Sequence, residues 1–153
     1  MLKTFLSTGA ETLLALEDDA VFRNLDVLPK AIAELPADWD ILYLGANITG
    51  MVFGIQENPP AKHSQHLHRV RRAWTSHAIA YTRNAAERIV TVYNPDICGM
   101  YDNFLSEYML PKLNAFLVNP MVAWQRPGKS DLWGQQTDYT GAFEMGNKIM
   151  QSC

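Results

Sequence analysis

The chain has 153 residues, 48% of them hydrophobic and 19% charged, which describes one globular domain over 1-153 with a core of ordinary size and excludes a disordered chain. A net charge of -3 supplies no global basic field, which disfavours a general nucleic-acid binder and leaves room for a local basic patch. The two cysteines, Cys98 and Cys153, lie in no zinc-like spacing and imply free thiols in a reducing, cytoplasmic setting; no apolar run reaches the ~18 to 20 residues of a bilayer span.

In chain order, Thr12 to Leu16 is a short apolar run that stops at Glu17-Asp18-Asp19, the pattern of a buried strand whose C-terminal end carries charge. Ligands of α/β sheets sit at such ends. Leu25, Leu28, Ile32 and Leu35 then recur at helical spacing, with Asn24 or Asp26 as the candidate N-cap and Pro36 closing the segment. Asp40 to Gly45 reads as a second buried strand. Strand, helix, strand in that order predicts a crossover connection and a mainly parallel sheet.

From Ala46 to Ala73 periodicity is lost, and Asn58-Pro59-Pro60 marks irregular backbone, so a long loop with a short hairpin is expected. Between Asn58 and Ala86 there is no Asp or Glu, while Lys62, Arg69, Arg71, Arg72, Arg83 and all four histidines fall there. Arg69, Arg71 and Arg72 read either as phosphate or acceptor contacts or as solvated loop charges. His63, His66 and His68 have a loose metal-like spacing without the partners of a zinc site. Thr75 to Tyr81 is a third strand, in which His77 reads as a donor-site ligand or as a hydrogen-bonded sheet histidine. Arg83 to Tyr93 follows as a helix with Ala86, Ile89, Val90 and Tyr93 on one face, Phe104 to Met109 as another, and Ala115 to Val118 as a last strand. Beyond Asn119-Pro120, the stretch through Gln125 to Asp131 reads as coil. Tyr81, Trp124 and Trp133 have rings that suit either a sugar face or a core.

The acidic triplet carries the chemistry. Alternate residues leaving a strand share a side, which pairs Glu17 with Asp19 and turns Asp18 away. Two carboxylates suit a hard divalent cation, Mn2+ or Mg2+, that keeps water and takes phosphate oxygens for the rest of its shell. The competing reading is an acidic cap facing solvent.

Several ordered blocks together resemble glycosyltransferase family 25, the lipooligosaccharide and collagen-type galactosyltransferases. Leu14-Ala15-Leu16-Glu17-Asp18-Asp19-Ala20-Val21-Phe22 is similar to the family's EDD segment, with its DxD-type function. Asp38-Trp39-Asp40-Ile41-Leu42-Tyr43-Leu44-Gly45 is similar to its following strand, and Ser76 to Ala86 to its strand and small-residue helix. Met100 to Leu105, and Val118-Asn119-Pro120 with Gln125 through Ser130-Asp131, resemble the later elements.

The resemblance implies an α/β fold of GT-A (Rossmann-like) type, a mainly parallel sheet flanked by helices. It implies metal-dependent, inverting transfer of a hexose, galactose or glucose, from a UDP-hexose donor to a glycan or hydroxyl acceptor, as in lipopolysaccharide biosynthesis. Glu17 and Asp19 would hold the metal, Asp18, His77, Ser130 and Asp131 would line the donor, and Asp102 would be the general base. Asp102 reads equally as the N-cap of the helix containing Phe104. GT-A enzymes place a nucleotide-binding βαβ region of roughly a hundred residues before the metal motif. Only sixteen residues precede Glu17, so the resemblance covers the catalytic half and lacks most of that region. The alternative is a non-catalytic binding or interaction domain of the same fold.

Overall fold

The computed structural model describes residues 1–49, 59–129 and 134–152. In chain order the elements are α1 (Leu2–Leu6), β1 (Thr12–Leu16), β2 (Ala20–Phe22), α2 (Leu28–Ala33), β3 (Ile41–Tyr43), β4 (Ala61–Lys62), β5 (Leu67–Arg69) and β6 (Ala78–Thr82). Then come α3 (Arg83–Val92), α4 (Pro95–Cys98), α5 (Tyr101–Phe104), β7 (Ala115–Val118), β8 (Ala123–Gln125), β9 (Gly128–Lys129), β10 (Gln136–Thr137) and α6 (Thr140–Ser152). Helix α5 runs on into a π turn over Leu105–Met109 and a 3-10 turn over Leu110–Lys112.

Six strands make one mixed sheet in the order β1-β6-β3-β7-β5-β4. Within it only β3 and β7 pair in parallel; the other pairings are antiparallel, so the expected mainly parallel sheet is not what forms. The physical reason is β6, which inserts between β1 and β3 and runs against both. The crossover through α2 still returns β3 in the direction of β1, and β7 in that of β3. Strand order and strand direction are separate facts, and only direction follows from a strand-helix-strand pattern.

Strand alternation divides the core. Ile41, Tyr43, Ile79, Tyr81 and Leu117 belong to one face with Phe5, Ile89, Leu105 and Phe143; Leu42, Leu44, Ala78, Phe116 and Val118 belong to the other with Val27 and Ala31. Each large side chain so buried contributes about 1.5–3 kcal/mol. Helix α3 is closed by its sequence, since Thr82 accepts from Ala85 N at 3.2 Å and Ala85, Ala86 and Ile89 are buried.

Helix α2 departs from expectation. Asn24 takes a left-handed backbone (φ 51°) without a side-chain cap, and a 3-10 turn over Leu25–Val27 shifts the helical phase. Val27 and Ala31 are buried in the core and Leu28 and Leu35 pack partly against it, as expected of them, while Leu25 and Ile32 stay exposed. The β4–β5 hairpin forms within the expected loop. Its turn is clasped to the end of α2 by Glu34, which accepts from Ser64 Oγ and, at 2.8 Å, from His66 N, and lies 2.6 Å from His66 Nδ1. Ser64 and His66 together pull the Glu34 carboxyl down to about 2. Where coil was expected, Ala123 to Gln125 pairs with β2, and Gly128–Lys129 pairs with β10.

Arg83 ties the start of the chain to the β6–α3 joint. Its guanidinium donates to the carbonyls of Leu6 (3.2 Å), Thr8 and Ala10 (2.8 Å). Among the described residues no helix is long and apolar enough to cross a membrane.

Candidate functional site

The triplet Glu17-Asp18-Asp19 leaves β1 and turns. Glu17 N donates to His77 O (2.9 Å), extending the ladder by one residue, and Ala20 N closes the turn on Glu17 O (3.1 Å). Asp18 is exposed at the turn, and Asp19 leads into β2. Glu17 and Asp19 are thus placed by a strand end and a tight turn, not by alternation along one strand.

Each carboxylate has a holder from elsewhere in the chain. Ser76 Oγ donates to Glu17 Oε1 at 2.7 Å. Gln125 Nε2 donates to Asp19 Oδ2 at 3.1 Å, and Arg126 N donates to Asp19 O at 2.9 Å. Asp19 Oδ1 is left buried without a partner. A buried carboxylate oxygen with nothing on it is costly, and such an atom fits a cation.

Asp102 arrives from the second half of the sequence. It lies in the first turn of α5, whose N-cap is Met100, so the N-cap reading of Asp102 is replaced by a position inside the helix. Its Oδ1 accepts from Asn103 N at 2.8 Å. Burial holds the Glu17 carboxyl above the ordinary glutamate value; the Ser76 hydroxyl opposes this, and the charges of Asp19, Asp102 and Asp18 add to the rise. The four carboxylates therefore share one electrostatic neighbourhood.

Phenols back it. Tyr101 Oη donates to Tyr81 Oη at 3.1 Å, and burial pushes the Tyr101 hydroxyl up to about 12. Burial also raises Tyr43, with Tyr101 and Asp102 adding to it. These three hydroxyls stay neutral at any physiological pH.

His77 is completely buried, its ring edge-on to Phe143 at 5.2 Å and its Nδ1 3.2 Å from Thr75 Oγ1. Burial lowers its pKa, against smaller opposing effects of the Ala123 carbonyl and Asp19. Nε2 has no hydrogen bond of normal geometry although the Ala123 carbonyl is close by. The ring is enclosed in the core against Phe143 and is not displayed at the surface.

The basic candidates do not converge on this site. Arg69 donates to Asn114 Oδ1 (2.7 Å) near the N-terminal end of β7, Arg72 pairs with Glu107 (2.8 Å), and Arg71 is exposed. His66 is held by Glu34 and His63 packs edge-on to Phe116, so the histidines of the hairpin do not gather. Among the described residues no group of three His, Cys, Asp or Glu side chains is arranged to hold a metal ion. One or two carboxylates suffice where phosphate and water complete the shell. Trp124 is buried beneath Arg23, 4.4 Å from ring to guanidinium, and Tyr81 is buried, so neither presents a sugar platform. Ser130, Asp131 and Trp133 lie outside the described residues.

Ser76, Gln125 and Tyr101 are the partners that the sequence left unassigned. Nothing local marks them, because each acts through a contact distant in sequence. No known family, curated protein or solved structure matches the chain.

The raised Glu17 pKa has a testable sign. Folding favours the protonated form, so the contribution is fully present below the unfolded value of 4.5 and is lost as pH rises through the folded value. At neutral pH the charged Glu17 opposes folding. Glu17→Gln, which keeps an acceptor for Ser76, is expected to raise the thermal midpoint at pH 7, with the gain vanishing below pH 4.5. Equal midpoints at pH 7 would remove Glu17 from the strained cluster.

Proposed function

We propose that the chain is the catalytic half of a metal-dependent, inverting glycosyltransferase of GT-A type, similar to family 25. The observation that carries this reading is the buried, unpartnered Oδ1 of Asp19 beside the C-terminal end of β1, where the negative charges of Glu17, Asp18 and Asp102 also act. Strand direction supports it too, since β1, β3 and β7 run the same way and put their C-terminal ends on one side of the sheet.

Asp19 Oδ1 and the Glu17 carboxylate fit a hard cation, Mn2+ or Mg2+, by donor type and by the charge a cation would neutralise. Such an ion supplies Lewis-acid stabilisation of the departing diphosphate. Gln125 fixes the Asp19 carboxylate so that one oxygen is kept for this role. Ser76 holds Glu17 in place. Asp102 takes the proton of the acceptor hydroxyl as that oxygen attacks the anomeric carbon from the side opposite the leaving UDP. The donor is a UDP-hexose and the acceptor a glycan hydroxyl.

The second reading, a non-catalytic domain, is favoured by two of the arginine candidates, because Arg69 and Arg72 are engaged by Asn114 and Glu107 and not held for a diphosphate. Calorimetric titration of UDP and UDP-galactose with and without Mn2+, on the wild type and Asp19→Ala, separates the two. Mn2+-dependent binding that disappears in Asp19→Ala is the expected result. Absence of nucleotide binding by the wild type would sink the transferase.

A further inference from the structure

Strand β1 is an edge strand, with β6 on one side and no described strand on the other. Its odd-numbered residues face β6, as Glu17 N donating to His77 O and Glu11 O accepting from Arg83 N show, in register with Leu13 opposite Tyr81 and Ala15 opposite Ile79. Thr12, Leu14 and Leu16 consequently turn their N–H and C=O groups to the open side. No described group bonds them there. The Leu14 and Leu16 side chains are 50% and 49% exposed and lie outside both core clusters.

The two edges of the sheet differ in kind. At the far edge, β4 has two residues and one of them is Lys62, the short, charged form that discourages further pairing. β1 presents five residues, Thr-Leu-Leu-Ala-Leu, with no proline and no charge. Such an edge is a template for one more strand.

We infer that the open edge of β1 docks an extended segment of another polypeptide, with apolar side chains at alternate positions and Lys or Arg at both ends. The alternation matches Leu14 and Leu16. The basic ends match Glu11 at one end of the strand and Glu17 and Asp18 at the other. The same charges disfavour a second copy of this chain: antiparallel pairing centred on Leu14 sets Glu11 of each copy against Glu17 of the other, two like-charge pairs directly opposed. This inference does not rest on the transferase reading.

The test uses the full chain and two labelled peptides, Lys-Val-Thr-Val-Thr-Val-Lys and its counterpart with Glu at both ends, followed by fluorescence anisotropy. Saturable binding of the Lys-flanked peptide, about tenfold or more tighter than the Glu-flanked one, is expected. Leu14→Pro removes an outward N–H while sparing the ladder to β6, and is expected to weaken binding by about tenfold or more. Because that variant can disturb the fold, the peptide is also N-methylated at either alternate set of residues. Methylation of one set abolishes binding and methylation of the other preserves it if a strand adds to β1. No saturable binding, equal affinity for both peptides, or indifference to methylation overturns the inference. So does sedimentation showing a wild-type dimer that Leu14→Pro dissolves, which gives the edge to a second copy.

Discussion

Gly45→Ala is expected to destabilise the fold by about 3 kcal/mol or more, at or beyond the upper end of ordinary overpacking. A Cβ at Gly45 would lie 1.8 Å from the carbonyl oxygen of Ala123 and 2.8 Å from its carbonyl carbon. Both are main-chain atoms, so no rotamer change relieves the clash. Val122 N and Ala123 N both donate to Leu44 O, at 2.9 and 3.0 Å, and this pins the two backbones together at the point of contact. Relief requires β8 to move away, taking Gln125 off Asp19. His77 Nε2, 3.2 Å from the same position, is an additional obstacle. Urea unfolding followed by circular dichroism measures the effect. Gly141→Ala is the control, since a Cβ there meets nothing within 4 Å and Ala exceeds Gly in helix α6 by about 0.5–1 kcal/mol. Equal midpoints for the two variants would show that β8 is free to shift.

The second large effect concerns chemistry. If the proposed transferase reading holds, Asp102→Asn is expected to lower kcat for hexose transfer by about 10²- to 10⁴-fold, the usual contribution of a general base. Donor binding in the presence of Mn2+ should change little, because the substitution leaves Glu17 and Asp19 in place. Asparagine keeps an oxygen that can accept from Asn103 N, so the 2.8 Å bond inside α5 and the thermal midpoint should both persist. A transferase assay with matched melting curves separates the two roles. Full activity in the variant would leave Asp102 as a helix residue and require another base.

What was legible follows from how far each signal reaches. β3, β6 and β7 were readable because each is a compact apolar run, and α3 because Thr82 caps it and its small buried face repeats at helical spacing. The place of β6 between β1 and β3 was not, since a strand's neighbours are chosen by the whole sheet. In α2 the apolar pattern was half right: Leu28 and Leu35 pack against the core, whereas Leu25 falls in the 3-10 turn and Ile32 is exposed, and the fully buried positions are Val27 and Ala31. Helix α6 escaped notice: its buried side is Ala142, Phe143, Gly146 and Met150, where two small residues blur the pattern. Gly146 is small because Met121 and Ile48 press on it. At the site, the triplet was visible as charge at the end of an apolar run, whereas Asp102 was singled out by the family resemblance. Ser76, Gln125 and Tyr101 were hidden because a serine, an amide and a phenol become informative only when a distant carboxylate or hydroxyl is placed against them. The histidines of the hairpin offered the sequence reading no zinc site, and what could not be read from it is that Glu34, far off in sequence, holds His66.

The anchoring of residues 6 to 10 by Arg83 bears on how the protein tolerates trimming. The segment before β1 looks dispensable, yet removing it takes away three carbonyl acceptors together with Leu2 and Phe5 from the core. The guanidinium that remained would sit at the joint where β6 hands over to α3, beside the strand that follows Ser76. A shortened version beginning at Glu11 would therefore be expected to lose order first at the start of α3, against which α1 packs, and only later at Ser76 and Glu17, which lie at the opposite ends of β6 and β1.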